Sequence, residues 1–196
     1  MEIYSHSSTM QSWKWRQTGT DVRGVPQRKE RVDLMTIENR QVKRDGRKDL
    51  AKVRFKLEAS DAAMGVEAEL LWAIPLGEGT FKVDNIPFYV YGISNEDVVS
   101  AVSDGSLYEF QKVVSRGGHS TYRVLINDPA GFESHAWTRH WPKLAALGCS
   151  YEVAKRRWVA IDVPRLSNVN NVYALLEQGA ADDIWSIDEG HCGHPL

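Results

Sequence analysis

Gly117-Gly118-His119-Ser120-Thr121 puts an imidazole and two hydroxyls at a glycine-rich corner, with Arg116 immediately before it. Those groups could hold a small ligand or anion, and a histidine beside a hydroxyl is also the minimum for a hydrolase. The corner has neither the lysine of a phosphate-binding loop nor a nucleophile elbow. The expectations are therefore a ligand site at Arg116, His119 and Ser120, or a hinge in which His119 bonds a backbone group. His135 and His140 are five apart, not the four that aligns two imidazoles on one helical face, and no intervening Glu completes a metalloprotease motif. His191-Cys192-Gly193-His194 offers thiolate and imidazole to a metal such as zinc, but three ligands need a fourth from elsewhere, and a frayed tail is the plainer expectation. Asp182-Asp183 and Asp188-Glu189 could be a divalent site, a partner-facing patch or a solvated rim. No cofactor is expected, and no metal.

Charge narrows the partners. Residues 1–50 carry 11 Lys/Arg and 7 Asp/Glu, which leaves 13 and 19 of the chain's 24 and 26 for the remainder. A nucleic-acid binder needs a basic track to displace counterions, and only the N-terminal arm has one, so nucleic acid is not the expected partner of this acidic body. The two cysteines, Cys149 and Cys192, are too few for a disulfide framework and are expected to be free thiols. No apolar run reaches the roughly 18–20 residues that span a bilayer, and the N-terminus lacks the layout of a signal peptide, so a cytoplasmic protein is expected.

The elements that must position these groups follow from periodicity. Residues 1–49 read as a polar, partly disordered arm, with Trp13 and Trp15 expected to dock on the body and Met35 an alternative start. From Ala51 the chain alternates: Val53, Phe55 and Leu57 face one way, Lys52, Arg54, Lys56 and Glu58 the other. A second strand over Glu67–Ile74 turns at Pro75-Leu76-Gly77-Glu78-Gly79 into Thr80–Val83. Ile86–Ile93 is a third apolar run, whose Pro87 points to a sheet edge. Asp97–Val102 and Tyr108–Val114 make another hairpin, and the sum over residues 50–116 is a small antiparallel barrel or curled sheet.

After Gly117-Gly118 strands alternate with helices. Thr121–Ile126 is a strand and Phe132–Leu147 a helix in which Pro142 demands a kink or a restart; Gly148 stops it. Tyr151–Val153 and Trp158–Val163 pair across Lys155-Arg156-Arg157. Ser167 caps a second helix that Gly179 ends, and Ile184–Ile187 is the last strand. The order β-α-β-β-α-β predicts a ferredoxin-like domain over residues 118–190, with a tail at 191–196, and an α+β chain overall. Alternation in Trp158–Val163 aims Val159, Ile161 and Val163 at the helices. Trp158, Ala160 and Asp162 then face the barrel or a partner.

Trp72-Ala73-Ile74-Pro75-Leu76-Gly77-Glu78-Gly79-Thr80-Phe81, Val83-Asp84-Asn85-Ile86-Pro87-Phe88, Gly92-Ile93-Ser94, Asp97-Val98-Val99, Gly118-His119-Ser120-Thr121 and Leu147-Gly148-Cys149 occur in order. Together they resemble a bacterial family classed as a domain of unknown function, over roughly residues 50–190. The resemblance implies no activity. Small orphan domains of that kind often act as immunity proteins beside secreted toxins, which is an association and not a mechanism. The expectation is a non-enzymatic immunity or antitoxin-like factor that occludes a cognate toxin through Trp158, Asp162, Asp182 and Asp183. The alternative is a small-ligand regulatory module with its site near the domain junction.

Overall fold

The computed structural model describes residues 37–38, 50–57 and 66–195, and these described residues belong to one compact unit. The expectations for Trp13, Trp15, Met35 and most of the arm lie outside the described residues. Strands β1 (Ile37–Glu38), β2 (Ala51–Lys56), β3 (Ala68–Gly77), β4 (Thr80–Val83), β5 (Val98–Ser103) and β6 (Tyr108–Ser115) make the first sheet. Its order is β1-β3-β2-β6-β5-β4, and β4 pairs back onto β3, so five of the strands close into a barrel. Alternation supplies the filling. Val53, Phe55, Leu71, Ala73, Phe81, Val83, Val99 and Ala101 are buried inside, while Lys52, Arg54 and Lys56 stay on the outer side.

The β3–β4 turn takes left-handed backbone at Gly77, Glu78 and Gly79, with φ of 96°, 51° and 71°. Glycine on either side of Glu78 makes that run of positive φ affordable. Ile86–Ile93 is not a strand, contrary to expectation. Pro87 has no N–H for a ladder, and the amides of Phe88, Tyr89 and Val90 are taken by a side-chain carboxylate instead.

The second sheet holds β7 (Ser120–Ile126), β8 (Ser150–Lys155), β9 (Trp158–Val163) and β10 (Trp185–His191), in the order β10-β7-β9-β8 and antiparallel throughout. Helices α1 (His135–Ala146) and α2 (Val169–Ala181) pack on one face. Val159, Ile161 and Val163 join Trp137, Leu144, Val172 and Leu176 in that core, on the face expected of them. Gly148, at φ 90°, follows the end of α1 as expected, whereas the other helix boundaries depart from expectation for local reasons. A 3₁₀ turn, Gly131–Glu133, precedes α1, and Ser134 then caps it by accepting the Trp137 amide at 3.2 Å. Pro142 lies within α1 and starts no new helix. Asn168, not Ser167, caps α2, and Gly179 lies inside that helix.

The α+β assignment with a ferredoxin-like domain is overturned. The described chain is mostly β, at 43% strand against 20% helix, with two α-helices, a closed five-stranded barrel and a second sheet. The physical reason lies in the sheet face turned away from the helices. A free-standing ferredoxin-like sheet would leave it open, whereas here Ala160 is buried against Val66, Ile86, Phe88 and Tyr89, with Trp158 packed alongside. The second sheet is thus a further layer on the barrel. Among the described residues no helix is long and apolar enough to cross a membrane.

Candidate functional site

Polar side chains gather where the barrel meets the second sheet. Glu69 of β3 is fully buried, and its carboxylate accepts the amides of Phe88, Tyr89 and Val90 at 2.7, 2.9 and 2.8 Å. Burial pushes its pKa up; the three amides and the charge of Arg123 pull against that shift. Arg123 of β7, 2% exposed, reaches the same segment from the other side. It donates to the carbonyls of Pro87 and Val90, pairs with Asp188 at 3.0 Å and lies over the Tyr91 ring at 4.4 Å. One buried anion and one buried cation therefore hold the Pro87–Tyr91 crossing between them. The sequence reading missed both, although a lone arginine in Thr121–Ile126 was a signal that it must find acceptors.

The predicted ligand residues sit at this junction but each is engaged. Arg116 pairs with the buried Asp97 at 2.8 Å and donates to the Gly92 carbonyl; Asp97 also accepts the Gly117 amide at 2.9 Å. His119 Nδ1 lies 2.9 and 3.0 Å from the two oxygens of Asp162, so the expected backbone partner is replaced by a carboxylate. The Ser120 hydroxyl lies 2.7 Å from His194 Nδ1 and accepts the Gly193 amide at 3.0 Å. His194 Nε2 faces the Pro164 carbonyl at 3.0 Å and so carries the proton, which leaves Nδ1 to accept from Ser120. Ser120 is fully buried and His194 nearly so. The tail is docked here, not frayed, and Ser120 is its anchor rather than a presented nucleophile.

Asp162 raises the pKa of His119 above its ordinary 6.5 by hydrogen bonding; burial opposes, and the charges of Asp162, Glu96 and Asp97 assist. A folded-state pKa above the unfolded one means that the pair stabilises fully below about pH 6.5, and that this contribution is lost as pH rises through the folded value. We expect the imidazole titration followed by NMR to move to lower pH in Asp162→Asn, and the loss of stability above pH 6.5 to shrink in that variant. An unchanged His119 titration would show that the contact does not persist in solution.

The partner residues divide. Trp158 packs half-buried against the core between the barrel and the second sheet, with its indole N–H buried and unpartnered, and Asp162 is 3% exposed, so of the two expectations for this face the barrel side is the one met. Asp182 and Asp183 are exposed at the end of α2; Asp183, at φ 57°, accepts the Asn127 amide N–H at 2.7 Å. Both cysteines are free thiols. Burial pushes the Cys149 thiol up to about 12, which keeps it protonated and inert. Among the described residues no three His, Cys, Asp or Glu side chains gather as metal ligands, and both nitrogens of His194 are already engaged.

These features define a β-rich scaffold, a closed barrel backed by a second sheet, whose polar junction is occupied by its own side chains. The chain belongs to the family described as Domain of unknown function (DUF4265), which it matches over residues 69–187. A hypothetical protein from Neisseria gonorrhoeae, known from a crystal structure, is similar with a TM-score of 0.62 at 14% identity, over 76% of this chain and 99% of its own. At that identity the likeness concerns the fold alone. No curated protein matches the chain.

Proposed function

We propose that this chain is a non-enzymatic protein-binding factor of the bacterial cytoplasm, an immunity or antitoxin-like protein that neutralises a cognate toxin by occluding it. The observation that supports this reading is the face formed by α2 and β10. From Leu166 to Leu196 there is no Lys or Arg, against Glu177, Asp182, Asp183, Asp188 and Glu189. Asp188 is already engaged by Arg123 and Tyr91, and Glu177, Asp182, Asp183 and Glu189 are exposed. Tyr173 stands among them, 40% exposed; burial first, then Glu177 and Glu189, raise its hydroxyl pKa. An accessible tyrosine beside Glu177 and Glu189, on a surface without positive charge, suits a basic target. The aromatic supplies contact area, and the charge speeds encounter and sets register.

The test uses the product of the neighbouring open reading frame as the partner. With Glu177→Lys, Asp182→Lys and Glu189→Lys combined, the association rate at low salt is expected to fall by about tenfold or more, because steering acts on the on-rate. Tyr173→Ala is expected to act mainly on the off-rate. A wild-type protein that forms no complex with that product, or a triple variant that associates as fast as wild type, would sink the reading.

A further inference from the structure

The barrel has a gap that the acidic face does not use. Strands β2 and β6 pair in parallel through Val53 with Tyr108 and Arg54 with Glu109 alone, although β2 continues to Lys56 and β6 to Ser115. Past that two-residue seam a cleft of about 270 Å³ opens, bounded by the ends of the two strands and by the Val90–Ile93 crossing. Its surface mixes apolar side chains with exposed backbone: Phe55, Val90 and Ile93 are buried core residues, Phe110 and Val113 form the outer wall, and polar surface lies between them. Phe55 and Phe110 are stacked at 4.6 Å, which gives that wall a flat aromatic surface.

Polar groups nearby are already used. The Leu57 amide donates to the Glu67 carbonyl, the Gly92 amide donates to the Gly190 carbonyl, and the Gly92 carbonyl accepts from Arg116. Lys56 is the one charged side chain among the described lining residues; it is exposed at the rim and has no ion-pair partner among the described residues. The volume lies just below the range of about 300–1,000 Å³ typical of drug-sized ligands. We infer that this cleft binds a small apolar carboxylic acid, with one ring or a short acyl chain against Phe55, Ile93, Phe110 and Val113 and its carboxylate on Lys56. A neutral molecule of the same shape would gain the burial but not the charge-assisted hydrogen bond. The inference is independent of the toxin reading, because the cleft and the α2–β10 face share no residue.

The experiment titrates phenylacetate, and separately benzyl alcohol, into the isotope-labelled full chain and follows backbone amides by NMR. Phenylacetate is expected to shift the amides of residues 55–57, 90–93 and 110–113. Lys56→Met should weaken it by about tenfold while changing benzyl alcohol less than about twofold, as a lost charge-assisted contact requires. Val113→Trp, which fills the cleft, should abolish both while leaving the Tyr173 region of the spectrum unchanged. Equal affinity for acid and alcohol in the wild type, shifts confined to other residues, or no shift at millimolar phenylacetate would each overturn the inference. Lys56 is an exposed side chain, so that arm stands even if Val113→Trp fails to fold.

Discussion

Glu69→Gln is expected to lower the unfolding midpoint in urea by an amount equivalent to about 3–5 kcal/mol, the range for breaking a buried charged network by removing one member. The side chain is nearly unchanged in volume, so packing is not the cause. The Phe88 amide points at one carboxylate oxygen and the Tyr89 and Val90 amides at the other. A glutamine presents an NH₂ to one of those sets whichever way it is turned, so at least one backbone donor loses its acceptor in a site with no exposure to water. Arg123 loses the negative charge that faces it across the crossing. Glu69→Ala adds a cavity to the same loss and should be worse, to the point of unfolding a marginally stable chain. A cost below about 1 kcal/mol in Glu69→Gln would mean that the carboxylate is not what holds the crossing, since a single orphaned buried donor already exceeds that.

The second large effect is one whose sign distinguishes packing from propensity. Gly179 lies inside α2, where alanine would ordinarily stabilise by about 1 kcal/mol. A Cβ at that position would lie 2.1 Å from Cζ2 and 2.4 Å from Cε2 of Trp185. That ring cannot move aside cheaply. Its N–H donates to the Leu176 carbonyl at 2.9 Å, and it packs edge-on against Trp137 with centroids 5.8 Å apart. Overpacking of this kind costs about 1–3 kcal/mol, so Gly179→Ala is expected to destabilise on balance, with a fall in Tm. A rise in Tm would show that β10 can shift away from α2. The absent side chain is how the helix approaches an indole, and that explains why a glycine that reads as a terminator lies within the last turn of the helix.

Most strands, the two hairpin connections of the barrel and the existence of both helices were legible because their signals are local. Val53 and Phe55 alternating with lysine and arginine announce a strand wherever it ends up, and Gly77-Glu78-Gly79 announces a turn. Errors came where a distant group overruled the local one. Ile86–Ile93 has strand composition, yet its amides go to a carboxylate about 20 residues back in sequence. The candidate site fared similarly. Arg116, His119 and Ser120 do meet at the junction, but Asp97, Asp162 and His194 claim them, and nothing in the spacing announces those partners.

By itself, then, the sequence determined an acidic body, free thiols, the alternation that fills a barrel and the α2–β10 stretch devoid of positive charge, since each depends on residue type and near neighbours. Only the tertiary structure decided that the second sheet is closed over by the barrel and that the histidine–hydroxyl corner serves as internal bracing. Ser120 and His194 are 74 residues apart, and a contact at that separation is selected by the packing of whole layers, not by any preference the intervening residues express locally.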